Sequence, residues 1–155
     1  MKQADARAEC AAASMPLRIR VLRRPEQFSA CFSARSVQHG EFRLHYRAAL
    51  DAETRDGPAG LACWLGLVVP KKFCKQAVRR NLIKRAMRQA LRDLRLPQSG
   101  RLQAPVLMLR LTRKLPAEFR SARSPALAAY VRAAVNDLVA AWIQRSLIVA
   151  ERGAA

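Results

Sequence analysis

Three segments of the chain have the hydrophobic pattern of β-strands. Residues 41–50 (EFRLHYRAAL) alternate strictly, with apolar side chains on one side and Arg43 and His45 on the other, which predicts a half-buried strand. Residues 61–69 (LACWLGLVV) and 106–112 (VLMLRLT) are almost continuously apolar, which favours strands inside a sheet. We therefore expect at least three strands.

Three other segments have the signals of helices. In residues 23–34 (RRPEQFSACFSA), Pro25 suits a first helical turn and Glu26 favours the positive end of the helix dipole. Residues 77–95 (AVRRNLIKRAMRQALRDLR) and 126–147 repeat their apolar positions at helical spacing. The buried stripe predicted for the last helix is Leu127, Val131, Val135, Leu138 and Trp142.

The order of these elements predicts an α+β fold, a small sandwich in which helices cover one side of a sheet. Nothing marks a second domain, so we expect a single domain over residues 17–147. Residues 1–16 are Ala-rich and polar and predict a disordered tail, and residues 148–155 form a second tail. The acidic segment 51–60 (DAETRDGPAG) has turn residues and predicts a hairpin loop.

The composition combines enough apolar residues for a core with a very high positive charge. Of the 155 residues, 51% are hydrophobic, while the net charge is +18 and the isoelectric point is about 11.5. Such a charge destabilises a compact protein by self-repulsion, so it favours a polyanionic partner, either nucleic acid or an anionic membrane surface. No apolar run approaches the roughly 18–20 residues of a membrane span, and charges interrupt the N-terminal segment where a signal peptide would be apolar. We therefore expect a cytoplasmic protein without a membrane partner.

Side chains that could carry out catalysis are sparse. The four cysteines form no CxxC pair and match no zinc pattern, which indicates reduced core thiols. His39 and His45 are six residues apart and do not suggest a metal pair. Each of the three predicted helices contains a single acidic residue, so none has a carboxylate pair at helical spacing of the kind that holds two metal ions. The residues alone therefore indicate a binding module with no catalytic residue, no metal site and no cofactor of its own.

Residues 77–95 separate charged from apolar side chains around the predicted helix. At about 100° per residue, six polar side chains fall within one arc of about 100°, opposite the apolar ones. This basic arc contains Asn81, Lys84, Arg85, Arg88, Arg92 and Arg95. Residues 71–95 hold ten basic residues and one acidic residue, a net +9 that is half of the total charge. Arg79 is the exception, because it falls on the apolar side.

Three interpretations of the basic arc stay open: a solvated surface without a ligand, a helix lying on a membrane, and a phosphate-binding surface. A solvated helix would dilute its repulsive charges with Glu, and this arc has none. A membrane helix would need a free apolar face, which the core requires here. Arginine matches phosphate oxygens with paired donors, and Asn81 can donate and accept at a base edge or a 2′-hydroxyl. The residues therefore favour phosphate binding.

Residues 71–92 (KKFCKQAVRRNLIKRAMRQALR) resemble the signature of the bacterial ribonuclease P protein family. The matching positions are Lys71, Lys72, Ala77, Arg80, Asn81, Lys84, Arg85, Arg88 and Arg92. Residues 65–69 (LGLVV) and 26–32 (EQFSACF) fit the strand that precedes this signature and the first helix of the family. The order of elements matches as well, so the resemblance spans residues 17–147.

The resemblance implies a fold and a function. The family fold is a four-stranded α+β sandwich related to a ribosomal-protein domain, with a left-handed crossover. Here the fourth strand would come from a division of residues 36–50 or from a short pairing near the hairpin loop. In the family, a catalytic RNA holds the catalytic magnesium ions and hydrolyses the phosphodiester bond. One protein per RNA assists it in removing the 5′ leader of precursor tRNA. Trp64, Pro70 and Gln89 differ from the residues usual in the family.

The resemblance also implies roles for individual residues. Those expected to contact the catalytic RNA are Lys71, Lys72, Arg80, Asn81, Lys84, Arg85, Arg88 and Arg92. Those expected to line a groove for the leader along the sheet are Phe28, Phe32, Arg43 and His45, because aromatic rings stack on unpaired bases. The alternative for the two phenylalanines is core packing, and the alternative for Arg43 and His45 is an exposed strand face.

Two other classes of function stay open on the sequence alone. The chain could bind a structured RNA or ribosomal RNA without a role in processing, or it could be a cationic membrane-active or nucleoid-type protein. The ordered apolar face opposite the basic arc and the position of Asn81 argue against the second class. The nucleic acid or lipid that copurifies with the protein distinguishes these alternatives.

Overall fold

The computed structural model describes residues 14–16, 18–48, 62–93, 95–97, 106–119 and 124–153. In chain order its elements are β1 (Ser14–Pro16), β2 (Arg18–Val21), α1 (Pro25–Phe32), β3 (Arg35–His39), β4 (Phe42–Arg47), β5 (Ala62–Val68), α2 (Ala77–Arg92), β6 (Arg95–Pro97), β7 (Val106–Leu111) and α3 (Pro125–Gly153). The predicted α+β class and the three predicted helices are confirmed.

Five strands form the central sheet, in the order β2-β5-β7-β4-β3. Strand β5 pairs in parallel with β2 and with β7, whereas β4 is antiparallel to both β7 and β3. Helix α2 lies in the connection between the parallel neighbours β5 and β7. A separate antiparallel pair joins β1 to β6. The polypeptide segment that carries the basic arc therefore links the two central strands of the sheet.

Both faces of the sheet are covered, because the central strands are apolar on both sides. In β7, Leu107, Leu109 and Leu111 lie in the main core with α2 and α3, while Val106 and Met108 point to the opposite face. Helix α1 covers that opposite face and forms a smaller apolar cluster there. The expectation that helices cover only one side of the sheet is therefore wrong for α1.

The strand count exceeds the predicted four. The division of residues 36–50 is confirmed in outline, because β3 and β4 form a hairpin in which His39 pairs with Phe42. Gly40 occupies its turn with a φ of 56°, a conformation that glycine adopts without steric strain. The additional strand is β2, a four-residue segment with two arginines whose local pattern is too short to predict a strand.

The ends of the domain also differ from the expected boundaries. Strand β1 lies within the predicted disordered tail, and the rest of that tail, residues 1–13, lies outside the described residues. Helix α3 continues past residue 147 to Gly153. Helix α2 ends at Arg92, so Arg95 belongs to β6 and not to the basic arc. The predicted hairpin loop at 51–60 lies outside the described residues.

Residues Pro125–Arg145 of α3 are long and apolar enough, by length and composition, to cross a membrane, with a mean hydropathy of 1.3. The segment contains no long uninterrupted apolar run, because Arg132 and Asp137 divide it. The predicted stripe of α3 is buried in the main core, from Leu127 to Trp142. The helix therefore packs as a core helix, and a core helix can be as long and as apolar as a membrane-spanning one.

Candidate nucleic-acid interface

Helix α2 presents its charged side chains on one side because its apolar side chains pack in the core on the other. Its buried residues are Ile83, Ala86, Met87, Ala90 and Leu91. The helix begins after a turn in which the Pro70 carbonyl accepts hydrogen bonds from the amides of Phe73 (3.1 Å) and Cys74 (3.2 Å). No acidic residue lies within the helix, and Asp93 caps its C-terminus. In the part of the chain that the structure describes, the opposite side of α2 is largely exposed and strongly positive.

The basic arc is brought together as predicted, apart from Arg95. Asn81, Arg85 and Arg92 are exposed, and Lys84 and Arg88 are half-buried along the same side of α2. An open depression of about 340 Å³ lies at its C-terminal half and is lined by Arg85, Arg88, Gln89, Arg92 and Asp93. Three guanidinium groups around one depression can donate to phosphate oxygens from several directions.

Asn81 cannot cap helix α2. The N-cap is Gln76, so Asn81 is the fifth helical residue and lies within the basic arc. Its exposed amide is free to donate and accept at an RNA group. The geometry therefore supports a contact with a partner and excludes a capping role for Asn81.

Arg80 differs from its neighbours because its guanidinium already has protein partners. Its Nη1 donates hydrogen bonds to the carbonyl oxygens of Cys74 (3.0 Å) and Lys75 (2.6 Å), which precede the helix. Arg80 therefore fastens the incoming loop to the first turn of α2. Arg79, in the same turn, is half-buried on the core side, as its position on the helical wheel predicted.

Lys71 and Lys72 extend the positive surface beyond the start of α2. Both side chains are exposed in the turn that follows β5. The ammonium of Lys72 lies 4.8 Å from the centre of the Phe73 ring, a cation–π distance. This contact holds the Lys72 side chain against the turn while its charge stays at the surface.

The sheet face under α1 is a second positive surface. The five strands of the central sheet contain six arginines and no Asp or Glu. The strand register places Arg20, Trp64, Val106 and Arg47 in one row across the sheet, and Arg110, Arg43 and Gln38 in another. Helix α1 lies over the row between them, which contains Gly66, Met108 and His45. Positive rows therefore flank α1 on both sides.

Two of the four predicted leader-contacting residues are accessible. Phe32, at the end of α1, is 46% exposed, and its ring centre lies 5.1 Å from the guanidinium carbon of Arg110. Arg43 is half-buried and its Nε donates a 2.8 Å hydrogen bond to Oε1 of Gln38. The amide of Gln38 in turn donates to Thr112 Oγ1 and to the Gly40 carbonyl. This network holds Arg43 in place beside Arg110, its cross-strand neighbour.

The other two predicted leader contacts pack against the protein, with Phe28 half-buried and His45 buried. A Cβ built on Gly66 would lie 2.7 Å from Cε1 of Phe28, so the Phe28 ring sits directly on the strand. His45 is only 3% exposed, and its ring lies 5.9 Å from the ring of Phe32. Burial, followed by the charges of Arg110 and Arg43, lowers the pKa of His45. Core packing therefore describes Phe28, and burial under α1, not an exposed strand face, describes His45.

The sequence interpretation missed three arginines and one tryptophan on this sheet face. Arg110 is the only charged residue of β7. This feature of the sequence could have identified it, because a single charge in an apolar strand marks a polar or ligand-facing position. Arg20 belongs to the unpredicted β2, and Arg47 continues the polar side of β4. Trp64 was noted only as a departure from the family pattern.

The described residues offer little for catalysis by the protein. Within the parts of the chain that the structure describes, no group of three or more His, Cys, Asp or Glu side chains could hold a metal ion. Among the described residues, Cys31, Cys63 and Cys74 are buried and form no disulfide, and burial raises the pKa of Cys63 to about 12. A thiol in this state is not a nucleophile at neutral pH.

Comparisons with known proteins agree on one family. Residues 17–110 match the family described as Ribonuclease P. The ribonuclease P protein component of Bordetella parapertussis is 38% identical over 127 residues, which cover 79% of this chain and 97% of that protein. The corresponding protein of Ralstonia pickettii is 36% identical over 118 residues, which cover 76% of this chain and 72% of that protein. The structure of the Staphylococcus aureus RNase P protein shares the fold, with a TM-score of 0.51, 18% identity, and coverage of 77% of this chain and 91% of that chain.

Proposed function

Because the chain belongs to the ribonuclease P protein family, we propose a specific division of RNA contacts between its two positive surfaces. The chain is the RNA-binding protein subunit of a ribonucleoprotein endoribonuclease that matures the 5′ end of tRNA. In this enzyme the RNA subunit carries out the hydrolysis. The proposal concerns which residues bind which RNA.

The basic arc of α2 contacts the catalytic RNA. The observation that carries this assignment is the separation of polar from apolar side chains around α2, with Asn81, Arg85 and Arg92 exposed and no acidic residue within the helix. Like charges three and four residues apart destabilise a free helix, and bound phosphates remove that repulsion. Lys71 and Lys72 lengthen the contact, and Arg80 supports it by fixing the loop before α2.

The sheet face beside α1 contacts the 5′ leader of precursor tRNA. Phe32 offers an exposed ring for an unpaired base, and Arg43 and Arg110 lie side by side where a phosphate would follow. Phe28 and His45 have a packing role: Phe28 holds α1 against the sheet, and His45 packs against the ring of Phe32. This assignment keeps all four predicted leader residues in the groove but gives direct contact to Phe32 and Arg43.

The magnesium ions that catalyse hydrolysis belong to the RNA subunit in this proposal. The described residues include no cluster of potential metal ligands, so the chain itself contributes positive charge and base stacking. One protein binds one catalytic RNA, and the complex works in the cytoplasm. The protein lowers the magnesium concentration that the RNA needs, because its arginines neutralise phosphates that metal ions would otherwise screen.

Reconstitution with the catalytic RNA of the same cell tests this function. The assay measures 5′ cleavage of precursor tRNA at low magnesium, with RNA alone, protein alone and both together. We expect cleavage only when both are present, and none from protein freed of RNA. Specific cleavage by the protein alone, after rigorous removal of contaminating nuclease, would overturn the assignment of catalysis to the RNA. Failure of the protein to stimulate the RNA would overturn the subunit role.

A further inference from the structure

A second pair of aromatic and arginine side chains lies across α1 from Phe32. The guanidinium carbon of Arg20 is 5.6 Å from the ring centre of Trp64, a cation–π distance. Trp64 pairs with Val106, whereas Arg110 lies four residues further along β7. At about 3.3 Å per residue, the two pairs are about 13 Å apart along that strand. The sheet face therefore carries two separate aromatic surfaces, one on each side of α1.

The position of Trp64 is unusual for a residue that serves only the core. Its neighbours in β5, Cys63 and Leu65, are 0% and 1% exposed in the main core, and Trp64 points to the other face. There it packs at the margin of the small cluster that contains Val106, and it remains half-buried. Part of the indole is therefore exposed at the surface of the sheet, next to Arg20.

The surroundings of Trp64 select a negatively charged ligand. Arg20 lies on one side of it in the same row, and Arg47 lies beyond Val106 on the other. None of the five strands of the central sheet contains an acidic residue. The Trp64 ring with the Arg20 guanidinium against it matches the parts of an unpaired nucleotide, since a base stacks on the ring or on the guanidinium plane and phosphates accept hydrogen bonds from arginine.

We propose that Trp64 and Arg20 bind one unpaired RNA nucleotide, at a site separate from the Phe32 surface. The inference rests on the proposed RNA-binding function and adds a second contact to it. The nucleotide comes either from the 5′ leader or from a single-stranded segment of the catalytic RNA, because both present the same base and phosphate chemistry.

Tryptophan fluorescence tests the proposal directly in the full chain. The protein has two tryptophans, and Trp142 is 2% exposed in the main core, so Trp64 is the one of the two on which a base can stack. We expect quenching when a single-stranded RNA oligonucleotide with the leader sequence is added. Trp64→Phe keeps an aromatic ring and removes the signal, so its fluorescence should not respond although its affinity stays within about threefold, since the smaller ring still stacks.

Trp64→Leu removes the aromatic ring and keeps an apolar side chain. We expect it to weaken binding by about 5- to 150-fold, the loss that corresponds to one stacked base. Arg20→Gln should weaken binding and reduce the salt dependence by about one phosphate. Arg35→Gln is the charge-matched control, because Arg35 is an exposed arginine on the edge strand β3 and has no place in the proposed site. Circular dichroism confirms that each variant is folded.

Separate titrations identify the source of the nucleotide. Quenching by catalytic RNA without substrate assigns the site to that RNA. Quenching that requires precursor tRNA, and is absent with mature tRNA, assigns it to the leader. If both RNAs bind the folded protein without quenching, and Trp64→Leu binds as the original protein does, the site is refuted while the RNA-binding function stands. Absence of any RNA binding would instead refute the proposed function.

Discussion

Replacing Arg85 with Ala should reduce the salt dependence of RNA binding by about one phosphate contact. Arg85 is exposed in the middle of the basic arc and lines the same depression as Arg88 and Arg92. Binding of each phosphate releases condensed counterions, with a slope of about 0.7 for single strands and 0.9 for duplex RNA or DNA. The loss of one contact therefore changes the slope without changing the architecture of the helix.

The size of this effect follows from the slope. Between about 50 and 200 mM salt, one phosphate contact weakens binding by about 2.6- to 3.5-fold. The original protein should therefore lose about threefold more affinity over that range than Arg85→Ala does, and Arg88→Ala should behave in the same way. Filter binding or fluorescence anisotropy with the catalytic RNA at four or more salt concentrations gives the slopes.

Two controls separate phosphate contact from general charge. Gln89→Ala changes a residue of the same depression without changing charge, so its slope should equal that of the original protein. Arg35→Ala removes an equal charge on the edge strand β3 and should alter the slope by less than one phosphate. Unchanged slopes in both Arg85→Ala and Arg88→Ala would show that the basic arc is only solvated, and the assignment of α2 to RNA would fail.

Four further predictions concern single residues. Asn81→Ala should weaken RNA binding by about 0.5–1.5 kcal/mol, the usual net value of a neutral hydrogen bond, with the same salt slope and the same Tm; a lower Tm with normal affinity would make Asn81 structural. Arg80→Ala should lower the free energy of unfolding by about 1 kcal/mol in urea denaturation, because two partly exposed hydrogen bonds to carbonyls are lost; unaltered stability would contradict the fastening role. Gly66→Ala should cost about 1–3 kcal/mol in the same assay, because its Cβ would meet the Phe28 ring at 2.7 Å, and Phe28→Leu in the same chain should restore part of the loss. His45 has a lowered pKa in the folded state, so below a pH of about 6.5 the unfolded chain binds more protons than the folded protein does. The free energy of unfolding should therefore decrease as the pH falls below about 6.5, and His45→Gln should make this free energy less sensitive to pH between about 7 and 5.

The sequence predicted best those features that depend on neighbouring residues. The apolar positions of α2 and α3 repeat at helical spacing. The structure buries the predicted stripe of α3 and most of the apolar side of α2, where Leu82 is only half-buried. The alternation of residues 41–50 likewise placed Arg43 and His45 together on one face of β4. In each case the periodicity of the backbone alone decides which side chains share a surface.

The features that were missed depend on contacts between distant parts of the chain. Strand β2 exists because it pairs with β5, more than forty residues later, and the alternation of its four residues is too short to predict a strand by itself. The helical period continues through Arg95, but pairing of β6 with β1 takes that residue into a strand. His45 is buried because α1 crosses its face of the sheet, and Arg80 is occupied by carbonyls that local periodicity does not reveal.

The order of strands in the sheet has a consequence for synthesis of the protein. Strand β7 lies between β5 and β4, yet it is the last strand of the sheet to be translated. At about 5–20 residues per second, the 19 residues from Arg92 to Leu111 take about 1–4 s. During that interval the polycationic segment of α2 has left the ribosome's peptidyl transferase centre ahead of the strand that completes its core. We therefore expect the nascent chain to be least selective among polyanions before its sheet closes, and to gain discrimination only once translation has passed β7.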